Sequence, residues 1–458
     1  MSDYLPQDLV IDILTRLPVK SLLKLRCVCK SWNALIISPA FVTAHLNRDD
    51  QSLFFLCYCR DAKGRTSLYS LPFYAEPFGE YSKLDTSIEM ELHSSFFVGY
   101  CNGVFCLVQN YYCSTHTLIL WNPIIRKILK TPLSGFCHPK SQSPYRVLFG
   151  FGFDSLNNDY KVVRIMDIRK YSSVDFWRYK VNLKRPIKVA VYSLNARSWR
   201  SIDISLGLFQ MHSDQGKQVF IDGVVYWLVY RVVNGKKKSF ALSFDLSDES
   251  FDEIMLPECL ASKNPSISVL QKSLALMEGA QGCCHVWVMK EYGVEESWTK
   301  EFSIDLRIFM GWPKGFRENG DILIETGGNL ISFNTQSQVI VELGKFYVSF
   351  YADGYKESLV LLKESDDKRC DQTAITFAFQ EFRFASFFSS VVATHVQGYG
   401  YEATEVIRMH ILLATEVIRM HSLLPDSEQQ IEKAKDGSLI MANEELVQVD
   451  SAGEVVEG

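Results

Sequence analysis

Residues 5–32, LPQDLVIDILTRLPVKSLLKLRCVCKSW, crowd large apolar side chains at helical spacing into a stretch too short to bury them. Leu9, Val10, Ile13, Leu14 and Leu17 form one stripe, and Leu22, Leu23 and Leu25 follow. Pro6 and Pro18 stand where helices begin or end, because proline suits a first turn and breaks an interior. Ser21, just past Pro18, is placed to cap a short second helix. Arg26 to Ile37 forms a third, with Val28, Trp32 and Leu35 on one side. Three helices of this size are marginal unless something else covers their apolar surface. The segment predicts a partner.

The rest of the chain has ample core-forming material: 458 residues, 47% hydrophobic and 13% aromatic. Its formal charge of −5 predicts no global attraction to nucleic acid or to a membrane surface. Twelve scattered cysteines suit reduced thiols. The N-terminus MSDYLPQDLV has neither the basic flank nor the apolar run of a signal peptide, and no stretch approaches a membrane span. A soluble protein of the cytoplasm and/or nucleus is expected. All 59 aromatic residues precede Glu402. Residues 402–458 carry twelve acidic and four basic side chains and repeat ATEVIRMHILL (403–413) as ATEVIRMHSLL (414–424). This tail is expected to be disordered or partly helical and to stand outside the core.

Residues 50–362 read as β. Runs rich in Val, Ile, Phe, Tyr and Trp (Leu118–Trp121, Val189–Leu194, Phe220–Leu228, Phe240–Leu246 and Leu330–Phe333) alternate with the turn pairs Asn102-Gly103, Asp222-Gly223 and Gly328-Asn329. VYSLNARSWRSI (191–202) aligns with SFDLSDESFDEI (243–254), strand, polar turn and strand; LWNPIIRKIL from Leu120 and SFNTQSQVIVEL from Ser332 are looser copies. Taking Arg126, Trp199, Phe251, Trp298 and Gln338 as equivalent gives intervals of 73, 52, 47 and 40 residues. Strand repeats of about 40–50 residues indicate a β-propeller, here of about six or seven blades. A large β-sandwich is the second reading.

Two resemblances add what periodicity lacks. Leu5-Pro6, Asp8, Ile13-Leu14, Leu17-Pro18 and Val28-Cys29-Lys30-Ser31-Trp32 together resemble the F-box, covering 1–48. NGVFCL (102–107), LWNPIIRK (120–127), FGFDSLNNDYKVVRI (151–165), VYSLNARSW (191–199), IDGVVYWL (221–228), FDLSDESFDEIMLP (244–257) and YKESLVLL (355–362) resemble the F-box-associated, kelch-like domain of plant F-box proteins, the group that includes the S-locus F-box proteins. Residues 363–401 form an extension that the resemblance does not define. The resemblance implies a three-helix module docking a Skp-type adaptor, and through it a cullin, in an SCF ubiquitin ligase. Leu5, Pro6, Ile13, Leu14, Leu17, Pro18, Leu22, Val28 and Trp32 are then the adaptor-binding candidates, some of which must instead hold the helices together. The β domain is implied to be a non-catalytic scaffold that binds a protein substrate for ubiquitination and degradation.

Motifs for hydrolase, zinc-protease or nucleotide chemistry are absent. Gly150-Phe-Gly152 reads as a strand in a tight sheet. Cys101, Cys106, Cys113 and His116 have no zinc-site spacing, and Cys283-Cys284-His285 reads as strand. No cofactor or metal is expected. The competing class is a propeller enzyme or sugar-binding protein with a chance F-box-like start. For substrate contact the sequence singles out 169–188, RKYSSVDFWRYKVNLKRPIK, with seven basic residues against one acidic, inside the longest repeat interval. Tyr171, Trp177, Arg178, Tyr179 and Arg185 have the character of interface hot spots for a partner with an acidic surface. A solvated hairpin with Phe176 and Trp177 packed inward is the bland alternative, and nucleic acid ranks lower.

Overall fold

The computed structural model describes residues 7–48, 53–60, 66–72, 82–83, 95–109, 116–132, 146–167, 187–203, 206–207, 209–211, 217–280, 282–308, 311–317, 319–327, 329–345, 351–361, 440–442, 445–449 and 455–456. They fall into two units, Met1–His45 with Asp366–Gly458, and Leu46–Ser365.

The first unit opens with four helices where the sequence predicts three: α1 (Gln7–Thr15), α2 (Val19–Leu25), α3 (Lys30–Ile36) and α4 (Pro39–Leu46). Capping explains the difference. Pro18, not Ser21, occupies the N-cap of α2, and Ser21 lies inside that helix. Extended backbone at Cys29 stops the third helix from starting at Arg26, and the Cys29 sulfur accepts the N–H of Trp32 at 3.4 Å. Ser38 Oγ accepts the N–H of Phe41 at 3.3 Å, and Pro39 at the first helical position opens α4. Leu14, Val19, Leu22, Leu25, Trp32, Ile36 and Phe41 form the small core. His45 is buried beside Phe41 and donates through Nε2 to the Leu17 carbonyl at 2.9 Å.

Among the described residues the second unit is six antiparallel sheets in chain order. The first contains β1 (Leu53–Arg60), β2 (Thr66–Pro72) and β3 (Ser82–Lys83). The second contains β4 (Ser95–Cys101), β5 (Val104–Gln109), β6 (Thr117–Asn122) and β7 (Lys127–Lys130). The third contains β8 (Arg146–Asp154), β9 (Asp159–Asp167), β10 (Ile187–Ser193) and β11 (Ser198–Ile202). The fourth contains β12 (Gln210–Met211), β13 (Gln218–Ile221), β14 (Val224–Val233), β15 (Lys236–Asp245) and β16 (Phe251–Met255), followed by the short helix α5 (Glu258–Ala261). The fifth contains β17 (Ser266–Leu270), β18 (Ser273–Ala280), β19 (Cys283–Met289) and β20 (Trp298–Asp305). The sixth contains β21 (Gly311–Phe316), β22 (Ile322–Thr326), β23 (Asn329–Phe333) and β24 (Ile340–Lys345). A last strand, β25 (Tyr351–Lys356), returns to the first sheet and pairs with β1 from Leu53↔Lys356 to Tyr58↔Tyr351.

One strand of each sheet meets one of the next in succession: β4 against β8, β8 against β13, β13 against β17, β17 against β21 and β21 against β25. This is a propeller of sheets and not a two-layer sandwich. One core cluster joins third-sheet Leu148, Val163 and Val191 to fourth-sheet Trp227, Phe240 and Phe244; others join fourth to fifth and fifth to sixth. With a neighbour on each face, β14 is buried at six consecutive residues instead of alternating.

Recurring turns explain the repeat. Arg126, Asn158, Arg197, Glu249 and Gln338 all take left-handed backbone, with φ from 48° to 60°. Three of these turns begin with a side chain that folds back on its own backbone: Asp154 Oδ1 accepts from the N–H groups of Leu156 and Asn157, Asp245 Oδ1 from Ser247 and Asp248, and Asn334 Oδ1 from Gln336 and Ser337. The residue two beyond the left-handed position then pairs across the hairpin: Ile128 with Trp121, Trp199 with Tyr192, Phe251 with Phe244 and Ile340 with Phe333. Trp298, paired with Met289, is their counterpart in the fifth sheet. Arg126 and Gln338 are therefore displaced by two from the register that the sequence alignment assigns them. Asn102-Gly103 and Asp222-Gly223 have positive φ at both residues, as two-residue hairpins require, and the second splits the predicted strand Phe220–Leu228 into β13 and β14. Asn234-Gly235 is a third such turn; Gly328 lies outside the described residues.

Gly150 and Gly152 on β8 are close-approach positions: a Cβ would come within 2.3 Å of Trp227 Cζ2 and of the Phe220 ring, respectively. The approach lets Trp227 Nε1 donate to the Phe149 carbonyl at 2.7 Å, while the Gln218 amide pairs with both the N–H and the carbonyl of Phe151. Past β25 the chain packs on the second sheet. Ser358, Leu359, Val360 and Leu361 are buried, and Asn122 Nδ2 donates to the carbonyls of Ser358 (3.0 Å) and Val360 (2.9 Å). The Tyr100 hydroxyl accepts the N–H of Lys356 at 2.8 Å. In the tail, β26 (Ile440–Ala442), β27 (Glu445–Val449) and β28 (Val455–Val456) pair antiparallel, so these residues are strand, not helix or disorder, in keeping with their Val and Ile content. The tandem repeat at 403–424 lies outside the described residues.

Two substitutions test the packing. Gly150→Val is expected to destabilise the β unit by about 1–3 kcal/mol, since Trp227 must leave its site. Asn122→Ala is expected to cost about 1–3 kcal/mol, leaving two buried carbonyls without this donor. Urea denaturation of the full chain measures both, and an unchanged midpoint in either variant refutes the corresponding contact.

Candidate functional site

The helical unit sorts its candidate residues by burial. Leu14 and Leu22 are fully buried and Trp32 nearly so, which makes them the internal support of the helices. Ile13, Leu17 and Val28 remain half-buried, and Pro18 is exposed. Leu5 and Pro6 lie outside the described residues. The half-buried set comes from α1, the α1–α2 turn and the turn before α3, so capping and turn chemistry determine which apolar groups stay accessible. Arg26 Nε donates to Asn33 Oδ1 at 3.0 Å and braces the turn that carries Val28.

On the β unit a cleft of about 500 Å³ opens between the third and fourth sheets, lined by residues that include Asp159, Lys161, Ser193, Arg200, Asp248 and Glu249. Its floor is an ion-pair network that sequence reading did not single out. Buried Lys161 places Nζ 2.7 Å from Asp154 Oδ2 and 3.0 Å from Glu249 Oε1, and donates to the Leu246 carbonyl at 2.6 Å. Ser247 Oγ donates to Asp154 Oδ1 at 2.7 Å, and Arg200 pairs with Glu249. Desolvation favours the protonated Asp154 carboxyl, yet hydrogen bonds from Lys161, Asn157 and Ser247 outweigh it and hold the group well below the usual carboxylate range. The carboxylate is stable as an anion and the ammonium is held between acceptors, so the network clamps one sheet's strand to the next sheet's turn. It offers no poised acid or base. Its sequence trace is the acid–turn–lysine spacing of Asp154 and Lys161, which becomes a site only when Glu249 arrives from the neighbouring sheet.

The cysteine positions behave as core. Cys101 and Cys106 are buried in β4 and β5, where desolvation pushes their thiols far up, and Cys284 is pushed up to about 12 by burial in β19. His285 also lies on β19, with Nδ1 2.8 Å from Ser303 Oγ. Cys113 is outside the described residues.

Tyr171, Trp177, Arg178, Tyr179 and Arg185 lie outside the described residues too, in the connection from β9 to β10. That connection joins the second and third strands of its sheet. The corresponding connection of the fourth sheet is the Asn234-Gly235 turn, flanked by exposed Val232, Val233, Lys236 and Lys238. The run RVVNGKKK at 231–238 is a legible hairpin signal, but its accessibility depends on β14 and β15 extending beyond β12 and β16.

Comparison with known proteins agrees with this architecture. Residues 3–43 match the F-box domain, and residues 70–393 match the F-box associated beta propeller domain, continuing past Leu362 into residues outside the described set. F-box protein At3g07870 of Arabidopsis thaliana is 29% identical over 377 residues, 75% of this chain and 87% of the relative. F-box protein CPR1 of the same plant is 31% identical over 314 residues, 66% of this chain and 73% of the relative. Among solved structures, TolB from Acinetobacter baumannii aligns at 11% identity with a TM-score of 0.38, over 70% of this chain and 71% of that one. The chain belongs to the family of F-box proteins with an F-box-associated β-propeller domain.

The buried network predicts a pH response. A carboxyl held below its unfolded value of about 3.9 contributes stability above that pH and loses it as pH falls toward the folded value. Stability of the β unit should therefore decline as acid is added below about pH 4. Lys161→Met, which strands the buried Asp154 carboxylate, should cost about 3–5 kcal/mol at neutral pH. Chemical denaturation across pH checks both, and a Lys161→Met protein as stable as the parent removes the clamp from the account.

Proposed function

We propose that this chain is the substrate-recognition subunit of an SCF-type ubiquitin ligase. Its helices dock a Skp-type adaptor and thereby a cullin, and its β unit holds a target protein for ubiquitination and degradation. The observation that carries this reading is the half-buried apolar set Ile13, Leu17 and Val28, with exposed Pro18, on a four-helix unit whose own core is already filled by Leu14, Leu22 and Trp32. Family membership supports it, since F-box proteins typically act as non-catalytic adaptors. In this role no bond is made or broken on the chain. It contributes proximity, converting an encounter between target and ubiquitin-conjugating enzyme into an effectively intramolecular one.

Co-purification of the full chain with a co-expressed Skp-type adaptor tests the reading. Ile13→Asp with Val28→Asp places charge on the accessible set and should reduce adaptor capture at least about tenfold, with the helical circular-dichroism signal retained. Leu14→Ala serves as the contrast: it removes a fully buried leucine, costs about 2–5 kcal/mol, and should lose capture and helical stability together. A parent chain that captures no adaptor, or a double variant that captures it undiminished, overturns the proposal.

A further inference from the structure

We infer that the end of the β unit carrying the β14–β15 hairpin and Trp312 holds an extended acidic segment of the target protein through a large apolar side chain. The inference rests on the substrate-receptor reading above and names the chemistry of the partner.

Trp312 is the first observation. It lies near the start of the first strand of the sixth sheet and is 71% exposed, although tryptophan at such a position ordinarily packs. The floor around it is low, because Gly311 precedes it and Gly279, near the end of β18, has no side chain against its ring. An exposed tryptophan on a rigid strand is the anchor type that dominates binding hot spots.

The hairpin is the second. Val232 and Val233 are exposed on β14, with Lys237 and Lys236 opposite them across the two-residue turn and Lys238 opposite Arg231. Lys237 stacks over the Tyr230 ring at 4.5 Å and bonds Asn264. Lys236 and Lys238 are exposed and face no carboxylate partner among the described residues. Arg231 is paired with Glu253, so the nearby acid is already matched.

A chain of contacts joins the two features into one surface. The Lys263 carbonyl accepts from Ser239 Oγ on the hairpin, and Lys263 Nζ reaches Glu278 at 2.9 Å. Gly279 follows Glu278 and borders Trp312. Lys314, two residues on, pairs with Glu325, and its carbonyl accepts from Lys217 Nζ at 3.0 Å. On this surface the acids Glu253, Glu278 and Glu325 each have a cation. The opposite end of the fourth and fifth sheets, at the other turns of their strands, exposes Asp222, Asp248, Glu291, Glu295 and Glu296. The contrast in charge orients an acidic partner toward the lysine hairpin and away from the far end.

The test uses the full chain co-expressed with a Skp-type adaptor and a fluorescein-labelled twelve-residue peptide of Asp, Glu and Ser around one Phe, read by anisotropy. Binding is expected, weakening as salt rises. Lys236→Glu with Lys238→Glu should weaken it by about tenfold or more. Trp312→Ala should weaken binding of this peptide but not of its Phe-to-Ala counterpart. Both variants should retain adaptor capture and the parent's melting temperature, since all three residues are exposed. Absence of binding, equal binding of a peptide with Lys in place of the acids, insensitivity to these variants, or tighter binding of a twelve-nucleotide uridine RNA each overturns the inference. Loss of adaptor capture by the parent would instead overturn the receptor reading, so the two failures are separable.

Discussion

The closing strand is the constraint on which the β unit depends. A succession of sheets whose strands touch in turn forms a ring only if its ends meet, and an unclosed ring would leave strand edges to pair with other chains. Here β25 crosses from the end of the unit to pair with β1, joining residues about three hundred positions apart in six consecutive registers. The four residues after Glu357 then bury themselves against the second sheet, held by Asn122 and by Ser358 Oγ donating to the Asn102 carbonyl. The turn at Asn102-Gly103, the buried amide of Asn122 and the YKESLVLL segment are one device distributed along the chain.

Adjacent sheets are joined by the same logic on a smaller scale. Large side chains of the fourth sheet meet glycines of the third, Trp227 at Gly150 and Phe220 at Gly152, and Gln218 of the fourth sheet reaches Gly99 of the second. The indole and amide also satisfy backbone groups of β8 that no strand pairs with. At the turn end of the third and fourth sheets the joint is ionic. Lys161 spans from its own sheet to the Leu246–Glu249 turn of the next, and the Asx turn at Asp154 presents a second carboxylate to it. Apolar interlock along the strands and a buried ion pair at their ends together fix the angle between neighbouring sheets.

The turns that carry left-handed residues are short, hydrogen-bonded to themselves and tied to neighbouring sheets. The exposed lysines and valines of the β14–β15 hairpin and Trp312 on β21 lie away from those turns. The helical unit divides its residues similarly, with an internal core of Leu14, Leu22 and Trp32 beneath an accessible set.

The sequence alone determined the helical character of residues 7–36 and the strand–turn–strand repeat. These depend on local chemistry: proline at helix starts, Asn-Gly and Asp-Gly at hairpins, and Asp or Asn opening a self-bonded turn. Helical spacing could not distinguish Leu14, which is buried, from Ile13, which is accessible, because both lie on the apolar stripe. Nor could strand alignment locate Arg126 and Gln338 within their turns, since a two-residue displacement keeps the same alternation of side chains. Only the tertiary structure decided those positions, the pairing of β25 with β1, and the meeting of Lys161 with Glu249. Each depends on residues distant in sequence, and their side chains acquire a partner only when one sheet is laid against another.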